Sequence, residues 1–279
     1  MPECDDFDDF VSLLLGADER GLILALRAYF DDAGTHDAAR VVCWGGFIGN
    51  AKQWRTLETA WRERLANPIL NTLDPKPPLA RFHLSPCRAR DDEYAGYSEA
   101  NANSLRYDFR EIISKSGVVG VAFAIDRRAY NLIVPINARD YLGDAEQVCF
   151  GACFNGAYQQ ARQFYPHETQ LHLIFDRVTH ASRREKLEAT AARVEQEEGG
   201  KPRLISATWA DMTATPALQA ADTIATENTW FAQDYLADEK AKPSAHLQHM
   251  LRTVDCLGHI MREEEVRAYV RKYGYTPAA

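Results

Sequence analysis

Apolar runs of strand length alternate along the chain with longer segments of helical periodicity. The first two runs, LILALRAYF at 22–30 and RVVCWGGFI at 40–48, flank a short polar connector and predict a β-hairpin. Paired glycines in the second run, Gly45 and Gly46, indicate a close backbone approach or a bulge. Three later apolar runs predict further strands, at 118–126, 169–176 and 203–211.

The intervening segments have apolar residues three and four positions apart, which predicts helices. The helix predicted at 215–236 has Thr215 as its N-cap and Pro216 at its first position. The segment ARFHLSP at 80–86 predicts a short strand that carries His83. The other predicted helices are 51–66, most of 91–115, about 141–164, 182–200 and a final segment that contains EEEVRAYVRKYG.

A hairpin followed by alternating helices and buried strands predicts an α/β fold. We expect a mixed sheet, antiparallel at the start and parallel in the later strands, with helices on its flanks. No internal repeat or clear linker divides the chain, which favours a single main domain. The predicted parts are an acidic N-terminal lead-in at 1–20 with a short amphipathic helix, a main domain at 21–240 and a helical C-terminal extension at 241–279.

The composition is typical of a soluble globular protein, with 46% hydrophobic and 26% charged residues among 279. No apolar stretch approaches the ~20 residues that span a bilayer, and the acidic N-terminus lacks the basic start of a secretory signal. We therefore expect a cytoplasmic protein with no membrane partner. The net charge of −8 argues against a broad basic face for nucleic acid but leaves room for a local cationic groove.

Three apolar runs end in an aspartate, at Asp31, Asp126 and Asp176. Ligand sites of α/β sheets lie outside the carboxyl ends of the parallel strands, so acids there can converge despite their separation in sequence. A fourth acid, Asp222, belongs to a polar stripe on the predicted helix at 215–236. We expect this helix to pack near a sheet edge with Asp222 directed at the site. The stripe consists of Gln219, Asp222, Thr223 and Thr226.

Clustered carboxylates repel one another, and Mg²⁺ or Mn²⁺ removes the repulsion because both ions prefer hard oxygen ligands. Two such ions can activate a water and stabilise the leaving oxygen of a phosphodiester. Taken singly, an aspartate after a strand is more often a turn former or a helix cap. Asp126 is followed by Arg127 and Arg128, with which it could simply pair. The strand-end acids and the helix acid together are what indicate a metal site.

Other polar residues have several open roles. His83 could be a ligand, a proton shuttle, a phosphate contact or a structural histidine. His246 and His249 share one helical face, and because no third ligand is evident we predict a solvated face. Several arginines just beyond strand ends are either solvated surface residues, the commoner outcome, or phosphate contacts. These are Arg127, Arg128, Arg177, Arg183 and Arg184.

Short motifs follow one another in an order that is typical of one protein family. They are DDAG at 31–34, the glycine pair at 45–46, FH at 82–83, IFD at 174–176 and LQAAD at 218–222. Through them the chain resembles the domain-of-unknown-function 3800 family, over roughly residues 25–235. The first strand of that family ends in Asp-Glu-Ser-Gly, so Asp32 stands here in place of the glutamate and Ala33 in place of the serine.

The resemblance implies a ribonuclease H-like fold with a cluster of carboxylates that binds divalent metal. It implies Asp31, Asp176 and Asp222 as ligands of Mg²⁺ or Mn²⁺, with Asp32 and His83 as further candidate catalytic residues. The implied activity is that of a metal-dependent nuclease or related phosphodiester hydrolase, with DNA or RNA as substrate. The oligomeric state is open, a homodimer being one option.

Two other functions are alternatives. A ribonuclease H-like scaffold can bind a partner or nucleic acid without catalysis, in a mobile-element or phage-defence setting, and the acidic pI and altered opening motif favour this. A phosphatase of the haloacid dehalogenase type has a strand that ends in Asp-x-Asp-x-Thr. Asp31 and Thr35 match that frame, but Ala33 replaces its second aspartate, so the acid/base of that reaction is missing.

Overall fold

The apolar runs form the strands of one central sheet. The structure, a computed structural model, describes residues 25–36, 38–69, 76–167, 170–178, 180–198 and 203–278. The predicted N-terminal lead-in and its amphipathic helix at 1–20 lie outside the described residues. Within them the strands are β1 (Ala25–Ala33), β2 (Val41–Gly49), β3 (Val119–Asp126), β4 (Gln170–Asp176), β5 (Arg203–Ala210) and β6 (Cys256–Met261).

The six described strands are arranged in the order β5-β4-β1-β2-β3-β6. Strand β2 pairs antiparallel with β1 and with β3, and all the other pairs are parallel. The predicted mixed sheet, with an antiparallel hairpin first and parallel strands later, is therefore confirmed. Since β1, β3 and β4 run in the same direction, their terminal aspartates all lie at one edge of the sheet.

Helices pack on both faces of this sheet. Several of these helices begin at a polar residue that caps them. At the start of the first helix, the Asn50 side chain accepts a hydrogen bond from the Gln53 amide, and the Gln53 side chain accepts one from the Asn50 amide. The described helices are α1 (Ala51–Ala66), α2 (Leu84–Ala89), α3 (Glu99–Ser116), α4 (Arg127–Ile133), α5 (Ile136–Leu142), α6 (Ala145–Phe164), α7 (Ala181–Glu198), α8 (Pro216–Ala237), α9 (Ala245–Thr253) and α10 (Glu263–Lys272).

Alternate side chains of each strand enter two different cores, because successive strand residues point to opposite faces. On one face, here called the α6 face, Trp44 and Phe175 pack against Phe150 of α6. On the other, the α8 face, Tyr29 meets Trp54 of α1. Helices α4, α5, α7 and α10 share the α6 face, and α1, α2, α3 and α9 share the α8 face. None of the helices in the described ranges is long and apolar enough to cross a membrane.

The C-terminal segment differs from its prediction as a purely helical extension. Its helices α9 and α10 enclose a strand, β6, which pairs with β3 and extends the sheet by one strand. The short sequence CLGHIM has a glycine and a histidine among its apolar residues, which hides a strand pattern. Pairing with β3, far away in the chain, therefore decides its conformation.

The prediction of a strand at 80–86 is wrong. His83 has extended backbone angles, φ −130° and ψ 116°, but α2 begins directly after it. The amides of Phe82 and Leu84 donate to the side chains of Gln219 and Asp222 on α8 rather than to a neighbouring strand. The alternation of Phe82 and Leu84 thus reflects an extended segment hydrogen-bonded to α8.

Candidate active site

The two adjacent aspartates at the end of β1 point to opposite faces of the sheet. Tyr29, two residues before Asp31, packs in the core of the α8 face, whereas Phe30, two residues before Asp32, packs in the core of the α6 face. Side chains alternate along a strand, so Asp31 lies on the α8 face and Asp32 on the α6 face. The pair is therefore not one site of two carboxylates.

Asp176 lies beside Asp31 on the same face. Strands β1 and β4 are parallel, and their last paired residues are Phe30 and Phe175. The next residue of each strand is the aspartate, so the two acids end neighbouring strands ~4.8 Å apart. The Asp176 Oδ1 accepts a hydrogen bond of 3.1 Å from the amide of Met212, which follows β5. This bond ties the loop after β5 to the acidic edge.

Helix α8 reaches this position because β2 has a glycine there. Gly45 is the partner of Asp31 across the hairpin, and a Cβ atom on Gly45 would lie 3.0 Å from the backbone of Ala225. The helix therefore lies directly on the sheet, and Asp222 is one turn before the point of contact. Gly45 therefore serves the close approach of α8, whereas a Cβ atom on Gly46 would meet Phe30 of β1 instead, and the continuous register shows no bulge between β1 and β2. We expect α8 to pack near the side of the sheet, by an outer strand, and that expectation is wrong. The helix instead packs across β1, β2 and β3 in the middle of the sheet.

Asp222 is buried and held by hydrogen bonds. Its Oδ2 accepts from the Leu84 amide at 2.9 Å, and its Oδ1 accepts from the Thr226 hydroxyl at 3.0 Å. The His83 Nε2 stands 3.8 Å from the same Oδ1. The other ring nitrogen, Nδ1, is buried and has no hydrogen-bond partner within the described part of the chain. The extended segment before α2 thus brings His83 to the helix acid.

The three acids of the α8 face resist ionisation. Burial raises the pKa of Asp31 well above its usual range, and the charges of Asp222, Asp32 and Asp176 raise it further. Burial also raises the pKa of Asp222, an effect that nearby His83 opposes, and it raises the pKa of Asp176. The largest charge effects on Asp31 all come from other carboxylates. A cation at this edge would offset the repulsion between these carboxylates and let them ionise.

The donor set of this edge suits a hard divalent ion. Asp31, Asp176 and Asp222 supply carboxylate oxygens, the ligands that Mg²⁺ and Mn²⁺ prefer. Within the described residues, no group of three or more His, Cys, Asp or Glu side chains is placed so that it could hold a metal ion. The three aspartates therefore suit a divalent ion by their oxygen donors and their charge, whereas their distances are not already those of a metal site.

Asp32 forms a separate charge cluster on the α6 face. Its Oδ1 lies 2.8 Å from the Arg183 guanidinium of α7, and its Oδ2 accepts from the Thr35 hydroxyl at 2.7 Å. The Arg183 Nε also donates to Glu146 of α6 at 2.7 Å. The structure thus separates Asp32 from the other predicted site residues. Arg183, predicted as a solvated surface residue, is instead the cation of this cluster.

We predict that Asp32→Asn leaves divalent-metal affinity within about threefold of that of the wild type. The loss of one partly buried ion pair lowers the free energy of unfolding by about 1 kcal/mol, because Arg183 keeps Glu146. Isothermal titration with Mn²⁺ and thermal unfolding check both parts. If Asp32→Asn weakens Mn²⁺ binding as much as Asp31→Asn does, Asp32 is a ligand and this assignment fails.

Asp126, the third strand-end acid, is a helix cap. Its Oδ1 accepts from the Ala129 amide at 3.1 Å, and its Oδ2 pairs with Arg40 at 3.1 Å. Of the alternatives open for Asp126, the structure shows an ion pair with Arg40 and not with Arg127 or Arg128. Arg127 instead donates to backbone carbonyls of the turn between β1 and β2, which include that of Thr35. Strand β2 separates Asp126 from the other acids.

Gln219 holds together the segments that surround Asp222. Its Oε1 accepts from the Trp61 indole and from the Phe82 amide, both at 2.8 Å. Its Nε2 donates to the carbonyl of Met212 at 2.9 Å. One fully buried amide therefore fixes α1, the segment before α2 and the loop after β5. Gln219 belongs to the predicted polar stripe of α8, but its partners lie in distant parts of the chain that no local pattern connects with it.

Gln219→Leu is expected to lower the free energy of unfolding by about 3 kcal/mol, because two buried donors lose their acceptor. Gln160→Leu on α6 is the matched control. Gln160 is also buried, but its Oε1 accepts no hydrogen bond from the described residues. Urea unfolding of the two variants measures the difference, and equal stability losses would contradict the role given to Gln219.

Comparison with known proteins leaves this site without an assigned family. No protein-family model matches the chain, and no curated protein matches it significantly in sequence.

Proposed function

We propose that the protein is a divalent-metal-dependent nuclease or a related phosphodiester hydrolase. The supporting observation is that Asp31 and Asp176 end neighbouring parallel strands on one face, with Asp222 above them on α8. These acids lie far apart in the chain. Their placement at the carboxyl edge of a sheet is typical of a ligand site.

The fold that we propose is ribonuclease H-like. The hairpin start, the parallel later strands and the flanking helices agree with what the resemblance to the domain-of-unknown-function 3800 family implies. Contacts with α8 also account for several of the motifs on which the resemblance rests. Gly45 of the glycine pair admits α8, the Phe-His pair lies along α8, and the Leu-Gln-Ala-Ala-Asp helix supplies both Gln219 and Asp222.

In this proposal Asp31, Asp176 and Asp222 would hold Mg²⁺ or Mn²⁺. Such an ion supplies a water of lowered pKa and a positive charge next to the phosphate oxygens. Thr226 and the Leu84 amide fix the carboxylate of Asp222, so its position changes little when substrate arrives. His83, about a third exposed, lies at the rim of the site. It is placed to pass a proton between the substrate and the solvent.

Cleavage of labelled DNA and RNA, single-stranded and duplex, tests this proposal in Mg²⁺, in Mn²⁺ and in a chelator. We expect cleavage with the ions and none with the chelator. The absence of cleavage of every substrate, combined with retained binding, would favour the non-catalytic binding module. A phosphatase of the haloacid dehalogenase type gains no support, since Thr35 bonds to Asp32 and Ala33 offers no acid/base.

A further inference from the structure

Three arginines and a histidine lie close together between α2, α3 and α9. They are Arg88 of α2, Arg106 and Arg110 of α3, and His246 of α9, and are called here the arginine cluster. The Arg110 Nη1 lies 3.0 Å from the His246 Nδ1. Burial, together with the charges of Arg106, Arg110 and Arg88, lowers the pKa of His246 to about 4. The prediction that His246 lies on a solvated face is therefore wrong.

The positive charge of this cluster is only partly neutralised. Arg106 pairs with Glu227 of α8 at 3.2 Å, and Glu227 also accepts from the Ser244 hydroxyl. Arg110 is only 5% exposed, yet its Nε donates to nothing within the described ranges. Neither Arg110 nor Arg88 forms an ion pair within the described residues, although Glu111 and Glu227 are close enough for their charges to raise the pKa of Arg110, against the effect of its burial. Because Arg110 is buried, the cation of this cluster that an anionic ligand can reach is the exposed Arg88.

Aromatic rings alternate with these arginines. The guanidinium of Arg88 lies over the ring of Trp230 at 4.1 Å, and that of Arg110 lies over Tyr107 at 4.4 Å. Tyr107 is 46% exposed, although it is a large apolar ring. Proteins bind single-stranded nucleic acid with such alternating guanidinium groups and aromatic rings. The cations contact the phosphates, and the unpaired bases stack on the rings.

The cluster is continuous with the candidate active site. Asp222, Thr226 and Trp230 are four residues apart on α8 and therefore share one side of that helix. The eight residues from Asp222 to Trp230 span ~12 Å at ~1.5 Å per residue. Helix α2 runs beside them, with the Leu84 amide at Asp222 and Arg88 at Trp230. A strand bound at the cluster would thus lead directly to the acids.

We propose that the face formed by α2, α3, α8 and α9 binds single-stranded nucleic acid and directs it to the carboxylate site. Its phosphates contact the exposed Arg88, the buried Arg110 adds positive charge nearby, and its bases stack on Trp230 and Tyr107. This inference rests on the proposed function for the identity of the polymer. A duplex is excluded by the same chemistry, because its bases are already stacked on one another and cannot reach the rings.

Fluorescence anisotropy of a labelled oligothymidylate with the full chain in chelator tests this directly, since no metal or cleavage is needed. We expect Arg88→Gln and Trp230→Leu each to weaken binding at least tenfold. Arg88→Gln should also reduce the salt dependence of binding. Arg271→Gln is the matched control, because this exposed arginine of α10 lies on the α6 face, and we expect a change below twofold. Arg88 is itself exposed, so its variant should fold normally.

Wild-type affinity in both Arg88→Gln and Trp230→Leu, or a duplex that binds as tightly as the single strand, would overturn the inference. The outcome is separable from that of the proposed function. Loss of binding in these variants together with unchanged cleavage in Asp31→Asn supports this face and rejects the carboxylate site. Unchanged binding together with loss of cleavage in Asp31→Asn does the reverse.

Discussion

Replacing Asp31 by asparagine is expected to lower the rate of metal-dependent cleavage at least about 100-fold. Enzymes that lose one contact to the charge that develops in the transition state slow down by about this factor. The amide keeps the shape of the carboxylate but not the charge that holds a divalent ion. Asp31 lies between the other two acids, next to Asp176 on β4 and under Asp222 on α8. Initial cleavage rates at saturating Mg²⁺ or Mn²⁺ provide the measurement.

The matched control is Asp126→Asn. Asp126 also ends a strand at this edge, but Arg40 and the cap of α4 satisfy its carboxylate. We expect this variant to lose about 1 kcal/mol of stability through the weakened cap and to keep the cleavage rate of the wild type. Normal cleavage by Asp31→Asn, or an equal loss in both variants, would show that the strand-end acid of β1 is not catalytic.

The second large effect that we expect is stabilisation by Mn²⁺. An ion that binds the folded state alone raises the free energy of unfolding by about 2.7 kcal/mol at a concentration 100 times its dissociation constant. The wild type should show this shift in thermal unfolding, and Asp31→Asn should show little of it. An equal shift in both proteins would place the bound ion elsewhere.

The pH dependence of the metal-free protein follows from the same carboxylates. Folding raises the pKa of Asp31 well above its usual range, so the folded chain holds that proton more tightly than the unfolded chain does. Stability is therefore lost as the pH rises from about 4 through the folded pKa, and the loss is complete above it. Asp31→Asn removes this loss, so in chelator at neutral pH the variant should unfold at a higher temperature than the wild type.

Several features of the site could be predicted from local pattern. The strand-end acids were visible because each follows an apolar run, and the LQAAD motif placed Asp222 on a helix. Strand periodicity alone separates Asp31 from Asp32, since neighbouring residues of a strand face opposite sides. The glycine pair indicates a close approach, and Gly45 is the residue that α8 contacts.

Other features depend on contacts between distant parts of the chain. Arg183 and Glu146 meet Asp32 across two helices, and no local pattern marks Glu146 as their partner. The segment that carries His83 had the alternation of a strand, but side chains of α8 accept its hydrogen bonds. Strand β6 forms for a similar reason, because β3 offers it an edge. Contacts between distant parts of the chain determine the conformation of these segments, and local propensity is too weak to override them.

A crystal structure of the protein soaked in Mn²⁺, with the ion located by its anomalous scattering, tests the central claim most directly. We expect an Mn²⁺ ion bound by a carboxylate oxygen of Asp31 at ~2.1 Å, with Asp176 or Asp222 as a further ligand. An ordered Mn²⁺ at another place, with the oxygens of Asp31 bound to none, would contradict the proposal that these three aspartates form a metal site.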